Sequence, residues 1–170
     1  MKYKSIIYLI LSLLVSIVVI FIYQFDNFRI KKVDSIDTKY IEKDSEQYLM
    51  NIDDIVNGEK YIEIDGWALE KGVINKYFNW VSGEGEAVYN NNQVVLVDDN
   101  DNVYSLNTIS SPRADVIESI GDGIDYSKCG FKALAKKSKL KSNTTYKVGV
   151  ILTTLEKEKI LIVSEKEIEL

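Results

Sequence analysis

Between Ser5 and Phe25 the chain carries no charged residue. Within that stretch Ile6–Tyr23 reads IIYLILSLLVSIVVIFIY, and only Ser12 and Ser16 interrupt the apolar run. As a helix rising ~1.5 Å per residue it spans about 27 Å, close to the ~30 Å hydrocarbon core of a bilayer. Tyr3, Tyr8, Tyr23 and Phe25 stand near its two ends, where aromatic rings favour the membrane interface. A helix apolar on every face needs a large core or lipid around it, and a chain of 170 residues offers little such core. The run therefore predicts one N-terminal transmembrane helix, with the lipid bilayer as its partner.

A cleaved signal peptide is the competing reading, because MKYK is a basic start. The apolar stretch, however, exceeds the ~7–15 residues of a signal core, and no small residues mark a cleavage site. The exit FIYQFDNFRIKK is bulky throughout, and no Cys follows it for lipid attachment. A pilin-like reading lacks the processing Gly and the Glu within the helix. A retained signal anchor is preferred. Lys2 and Lys4 favour a cytoplasmic N terminus, whereas Arg29, Lys31 and Lys32 at the other end pull the opposite way. The short head decides for a single-pass arrangement at the cell membrane, N terminus cytoplasmic and C-terminal domain extracytoplasmic.

Charge then bounds the partners. All 26 acidic residues lie beyond the apolar run, against 19 of the 21 basic ones, since only Lys2 and Lys4 precede it. An acidic domain argues against nucleic acid, whose phosphates need a basic surface. The chain has no His and one Cys. The commonest general base is thus missing, and Cys129 forms neither an intrachain disulfide nor a zinc cluster. No cofactor and no metal are expected. The abundance of Lys, Ile, Asn and Tyr hints at an AT-rich bacterial genome, and an exported chain without disulfides is ordinary in a Gram-positive envelope.

Beyond a head and anchor at residues 1–25, residues 26–46 are polar, mixed in charge and without periodicity, and read as a stalk or linker. From about Gln47 to Leu170 the pattern becomes β-rich. Ile62 and Ile64 alternate with polar neighbours, and Tyr146, Val148, Val150 and Leu152 form a second inward row. Val94 to Val97 and Ile160 to Val163 read as strands buried on both faces. Turn signals fall at Asn57-Gly58, Ser82-Gly83, Asn90 to Asn92, Asp98 to Asn102 and Gly121 to Gly123. About eight short strands at regular spacing predict an all-β antiparallel sandwich, Ig-like or carbohydrate-binding-module-like. One helical turn is expected at Ser111 to Ile120, capped by Ser111, with Pro112 at its first position and Asp115 and Glu118 near its N terminus.

Four short elements, Gly66-Trp67-Ala68, Arg113-Ala114-Asp115-Val116, Gly130-Phe131 and Tyr146-Lys147-Val148-Gly149, occur in that order. Together they resemble a small extracytoplasmic β-sandwich domain of Firmicute membrane and cell-surface proteins, some of them linked to surface polysaccharides. Ala114 stands where that pattern usually has Pro. The resemblance implies a sandwich at the cell surface and specifies no activity.

Several residues are candidates for contact with a ligand. Trp67 and Trp80 offer flat rings that stack on sugars, and Tyr77 and Phe78 accompany Trp80. The plainer reading of Trp67 is a core residue beside Gly66. Arg113 offers a planar fork for an anion, or an ion pair that fixes the turn around Asp115. Asp98 to Asn102 resembles the start of a calcium loop but lacks its Gly and bidentate Glu, so a hairpin tip is the simpler reading. The Gly121 to Asp125 segment is a turn first and a metal site second. Lys132, Lys136, Lys137, Lys139 and Lys141 read as a solvated strand edge or as a contact for anionic polymer or lipid. No catalytic residue is selected, and Cys129 reads as a small buried hydrophobe. These features together predict a membrane-anchored, non-catalytic interaction module of a bacterial cell envelope, recognising surface polysaccharide or a partner membrane protein. The alternatives are an assembly protein associating through its helix at Ser12 and Ser16, and an envelope glycan hydrolase.

Overall fold

A computed structural model describes residues 2–27, 30–33, 39–42, 45–74, 91–154 and 156–170. Helix α1 runs over Lys2–Asn27. Its side chains are described at Ile7, Tyr8 and residues 10–20, and all of these are exposed. Ile17, Val18, Val19 and Ile20, which point successively around the helix, are each more than half exposed, so no face of this stretch packs against the rest of the chain. Among the described residues no helix is long and apolar enough to cross a membrane.

Most of the other described residues form two β-sheets stacked on one core, almost entirely antiparallel. The smaller sheet contains β3 (Tyr48–Asn57), β4 (Tyr61–Glu70), β7 (Asn107–Ser111) and β8 (Gly130–Lys136) in the order β3-β4-β8-β7. The larger contains β1 (Lys31–Lys32), β2 (Lys39–Glu42), β5 (Asn91–Asp98), β6 (Val103–Ser105), β9 (Thr145–Thr153) and β10 (Lys159–Glu169) in the order β1-β6-β5-β9-β10-β2. Among the described strands only β2 runs parallel to its neighbour, β10.

Alternation decides the core. Ile62, Ile64 and Ala68 on β4 face Val94 and Leu96 on β5 and Tyr146, Val148, Val150 and Leu152 on β9, all at 0–1 % exposure. Each fully buried branched side chain contributes roughly 1.5–3 kcal/mol. The inward row expected on β9 is present in full. The central strands of the larger sheet are also apolar on their second face, where Val95, Val97, Val103, Ile151, Leu161 and Val163 form a separate buried cluster with Val33 against it. The runs read as buried on both faces are therefore of that kind.

Residues 26–46, read from sequence as a stalk, add a strand to each edge of the larger sheet. Lys31 pairs with Ser105 and Lys32 with Tyr104, while Lys39 to Glu42 pair with Ile160 to Val163. Two and four residues are too few to show a period. The turn expected at Asn90 to Asn92 likewise gives way to strand from Asn91 onward, because Asn91 and Asn92 pair with Thr153 and Leu152.

Two irregularities tie the sheets together at one edge. The register of β3 shifts between Ile52 and Asp54, and that of β10 between Val163 and Glu167. Ser164 fills the second bulge by donating from its hydroxyl to the Val148 carbonyl (2.8 Å). Lys166 then reaches across to donate to the Ile52 carbonyl (2.6 Å) in the first.

Candidate functional site

Three of the four sequence elements noted above meet at one end of the smaller sheet, with Ala68 and Phe131 turned into the main core and Trp67 packed on the other, outer face. Gly66 on β4 lies opposite Phe131 on β8, and Trp67 lies opposite Gly130. A Cβ at Gly66 would run into the Asn51 carbonyl and come within 2.9 Å of Phe131 Cζ, so the ring occupies the space a side chain would need. Gly130 in turn faces Ser111 on β7. A Cβ there would collide with Cγ of Arg113 and lie 2.6 Å from both the carbonyl and hydroxyl oxygens of Ser111. The bare backbone of Gly130 is the bed on which the stem of Arg113 lies.

From that bed Arg113 extends across the sheet. Its Nε donates to Asp115 Oδ1 (2.9 Å) and its Nη2 to Asp115 Oδ2 (2.6 Å), a bidentate pair, while Nη1 donates to Asp53 in the β3 bulge. Asn51 Nδ2 donates to the other oxygen of Asp53 (2.7 Å). The guanidinium side chain is 18 % exposed. The hydrogen bonds to Asp115 first, then Asp53, raise its affinity for the proton against the cost of burial, and the same Arg113 bond lowers the Asp115 carboxyl. A ligand carboxylate seeking the Arg113 fork would have to displace Asp115, so the geometry makes this residue a clamp.

Helix α2 (Ala114–Ile120) sits over the same end. It begins later than the sequence reading placed it. Ser111 still belongs to β7 through its pairing with Gly130, and no side chain caps the helix, whose N-cap is Arg113. Asp115 lies in its first turn, and Gly121 closes it in the left-handed conformation (φ 67°), donating to the Ile117 carbonyl (3.1 Å). Val116 of the helix, with Leu69, Tyr126 and Cys129, forms a small buried cluster on this outer face, and half-buried Trp67 packs against it.

Tyr126 pins the loop after α2. Its hydroxyl donates to Asp122 Oδ2 (2.6 Å) and accepts from the Gly72 N–H (2.8 Å). Burial, and then the Asp122 bond, push its phenol up. Cys129 is fully buried, and desolvation pushes its thiol up to about 12, so it stays protonated at neutral pH. From the other sheet Asn92 donates its amide to the Ala68 (2.8 Å) and Cys129 (2.7 Å) carbonyls, a cross-sheet tie that nothing in the sequence pattern announced. Tyr77 and Trp80 lie outside the described residues.

At the opposite end the Asp98 carboxylate, fully buried, organises the β5–β6 hairpin. It accepts from the N–H groups of Asn100 and Asn102 (2.9 Å each), from Asn102 Nδ2 at both oxygens (3.0 Å) and from the Tyr104 hydroxyl (3.2 Å). Burial alone would raise this carboxyl, but these bonds outweigh it and hold it below the usual carboxylate range. Its oxygens are spent on the turn itself, so the Asp98 to Asn102 segment is a hairpin tip. No cluster of three metal-ligating side chains occurs among the described residues. The lysine run does not form one edge. Lys132 lies on β8, which is paired on both sides, and meets Asp65 across the strand (2.6 Å), while Lys137 and Lys139 form a 3₁₀ turn.

Comparison with protein-family models, with curated proteins and with solved structures finds no match for this chain.

Proposed function

We propose that the chain is a single-pass, membrane-anchored interaction module of a bacterial cell envelope. In this reading its domain, an Ig-like or carbohydrate-binding-module-like sandwich, is extracytoplasmic and recognises a surface polysaccharide or a partner membrane protein without catalysing a reaction. The observation that carries it is an apolar helical stretch exposed at every described side chain, beside a sandwich with a buried core of its own. Ile7, Tyr8 and residues 10–20 are all exposed. No described helix is itself long and apolar enough to cross a membrane, so the span rests on the sequence, uncharged from Ser5 to Phe25 and of bilayer length as a helix. The four short elements that resemble a Firmicute surface domain support the location. Arg113, committed to two carboxylates, and Cys129, buried and protonated, are not the groups on which this reading rests.

Two measurements on the full chain test the reading. Resistance to alkaline carbonate extraction, with the domain digested by protease added outside intact cells, is expected; a protected domain reverses the orientation. Full chain in lipid nanodiscs, applied to arrays of envelope glycans and to photo-crosslinking in cells, is expected to give a saturable partner. Hydrolysis of an arrayed glycan would instead revive the hydrolase alternative.

A further inference from the structure

The route by which α1 joins the sandwich fixes which end of the domain meets the membrane, given the anchored reading above. Helix α1 ends at Asn27, and Ile30 already packs, half-buried, against the main core. Three residue steps reach at most about 11 Å. Immediately afterward Lys31 and Lys32 pair with Ser105 and Tyr104, and the Val33 N–H donates to the Val103 carbonyl (2.8 Å). A core side chain and an edge strand of the domain thus follow the helix within a few residues.

The register gives the direction. Proceeding from Lys31 to Val33, β1 climbs beside β6 from Ser105 toward Val103. In β5 this is the sense from Val95 toward Val97, and it leads to the Asp98 to Asn102 turn. The helix therefore arrives from the other end, where Asn91 pairs with Thr153 and Thr153 with Lys159. The two ends are far apart, since the eleven residues of β10 span roughly 36 Å.

We infer that the Asn91, Thr153 and Lys159 end of the sandwich is seated on the lipid headgroup layer, and that the Asp98 to Asn102 end faces away from the membrane. Charge does not create this contact. The turn at this end alternates Glu156, Lys157, Glu158 and Lys159, all exposed, so it is neither attracted to nor repelled from headgroups as a whole. The short tether imposes it on neutral lipid, and Lys31 and Lys32, exposed just after the helix, add attraction on anionic lipid.

Single cysteines introduced as Glu156→Cys and Asp99→Cys in the full chain take a fluorescent maleimide selectively, because Cys129 is buried and protonated. In phosphatidylcholine vesicles carrying a headgroup nitroxide, the label at position 156 is expected to be quenched at least threefold more than that at 99. Adding phosphatidylglycerol does not lower the ratio. A twelve-residue Gly-Ser spacer after Asn27, reaching about 20 Å, removes the difference. Equal quenching at both positions, stronger quenching at 99, or a ratio unaffected by the spacer overturns the inference while the anchor reading stands. A chain that carbonate strips from the vesicles overturns the anchor reading and this inference with it.

Discussion

Arg113 reaches Asp53 across two intervening strands because Gly130 leaves room for its stem. Gly130→Ala places a methyl group against Arg113 Cγ and 2.6 Å from the Ser111 carbonyl, backbone that has no easy retreat. Overpacking of this kind is expected to cost about 3 kcal/mol, read as a lowered denaturation midpoint. Arg113→Lys keeps the charge but loses the fork that holds Asp115 at both oxygens, with an expected loss of about 1 kcal/mol in the same measurement. Asp98→Asn turns one acceptor oxygen of the hairpin into a donor facing other donors, and about 2 kcal/mol is expected to be lost at pH 7. The Asp98 carboxyl is held low in the folded chain. Its contribution is therefore complete above the unfolded carboxylate value near 4 and disappears as pH falls through the folded value. Denaturation curves of wild type and Asp98→Asn should accordingly be furthest apart above about pH 5 and draw together as pH falls below the unfolded carboxylate value. The Arg113–Asp115 pair was legible because its members lie two residues apart; Asp53, sixty residues earlier, was not. Asn92 looked like a turn residue for the same reason: its two carbonyl partners are brought near only by the stacking of the sheets.

At the scale of elements, legibility followed length and burial. β4 and β9 alternate over nine or ten residues, so their inward faces could be named in advance. β1 and β2 are short, edge-bound and charged, and carry no such signal. The start of α2 was misplaced because Ser111 and Pro112 look like a cap and a first turn in isolation, whereas pairing with Gly130 holds Ser111 in β7. Helix α1 poses a different question, whether it also binds another helix. The Ser16 hydroxyl donates to the Ser12 carbonyl within the same helix (3.0 Å), which satisfies it without a neighbour. Replacing Ser12 and Ser16 by Leu is therefore expected to leave self-association in a bilayer unchanged. A clear drop in energy transfer between labelled copies would restore the helix-association alternative.

The whole molecule is more continuous than its composition implied. A change from apolar to polar at residue 26 suggested an anchor, a spacer and a domain beginning near Gln47, yet the sandwich begins at Ile30. A soluble fragment starting at Gln47 lacks Ile30, Val33 and both outer strands of the larger sheet, leaving β6 and β10 as bare edges. It is expected to be at least 3 kcal/mol less stable than one starting at Ile30 and to form aggregates that the longer fragment does not, as seen by light scattering. The parallel pairing of β2 with β10 carries a further consequence, for the order of events during synthesis. β2 is made early, just after the helix, but its neighbour in the sheet is the last strand described, so this pairing is among the least local in the fold. Until β10 has been made, the larger sheet stays open along β9, and most of the nascent domain waits unfinished within three residues of its helix. Biogenesis of the domain is thus paced by translation of its far end.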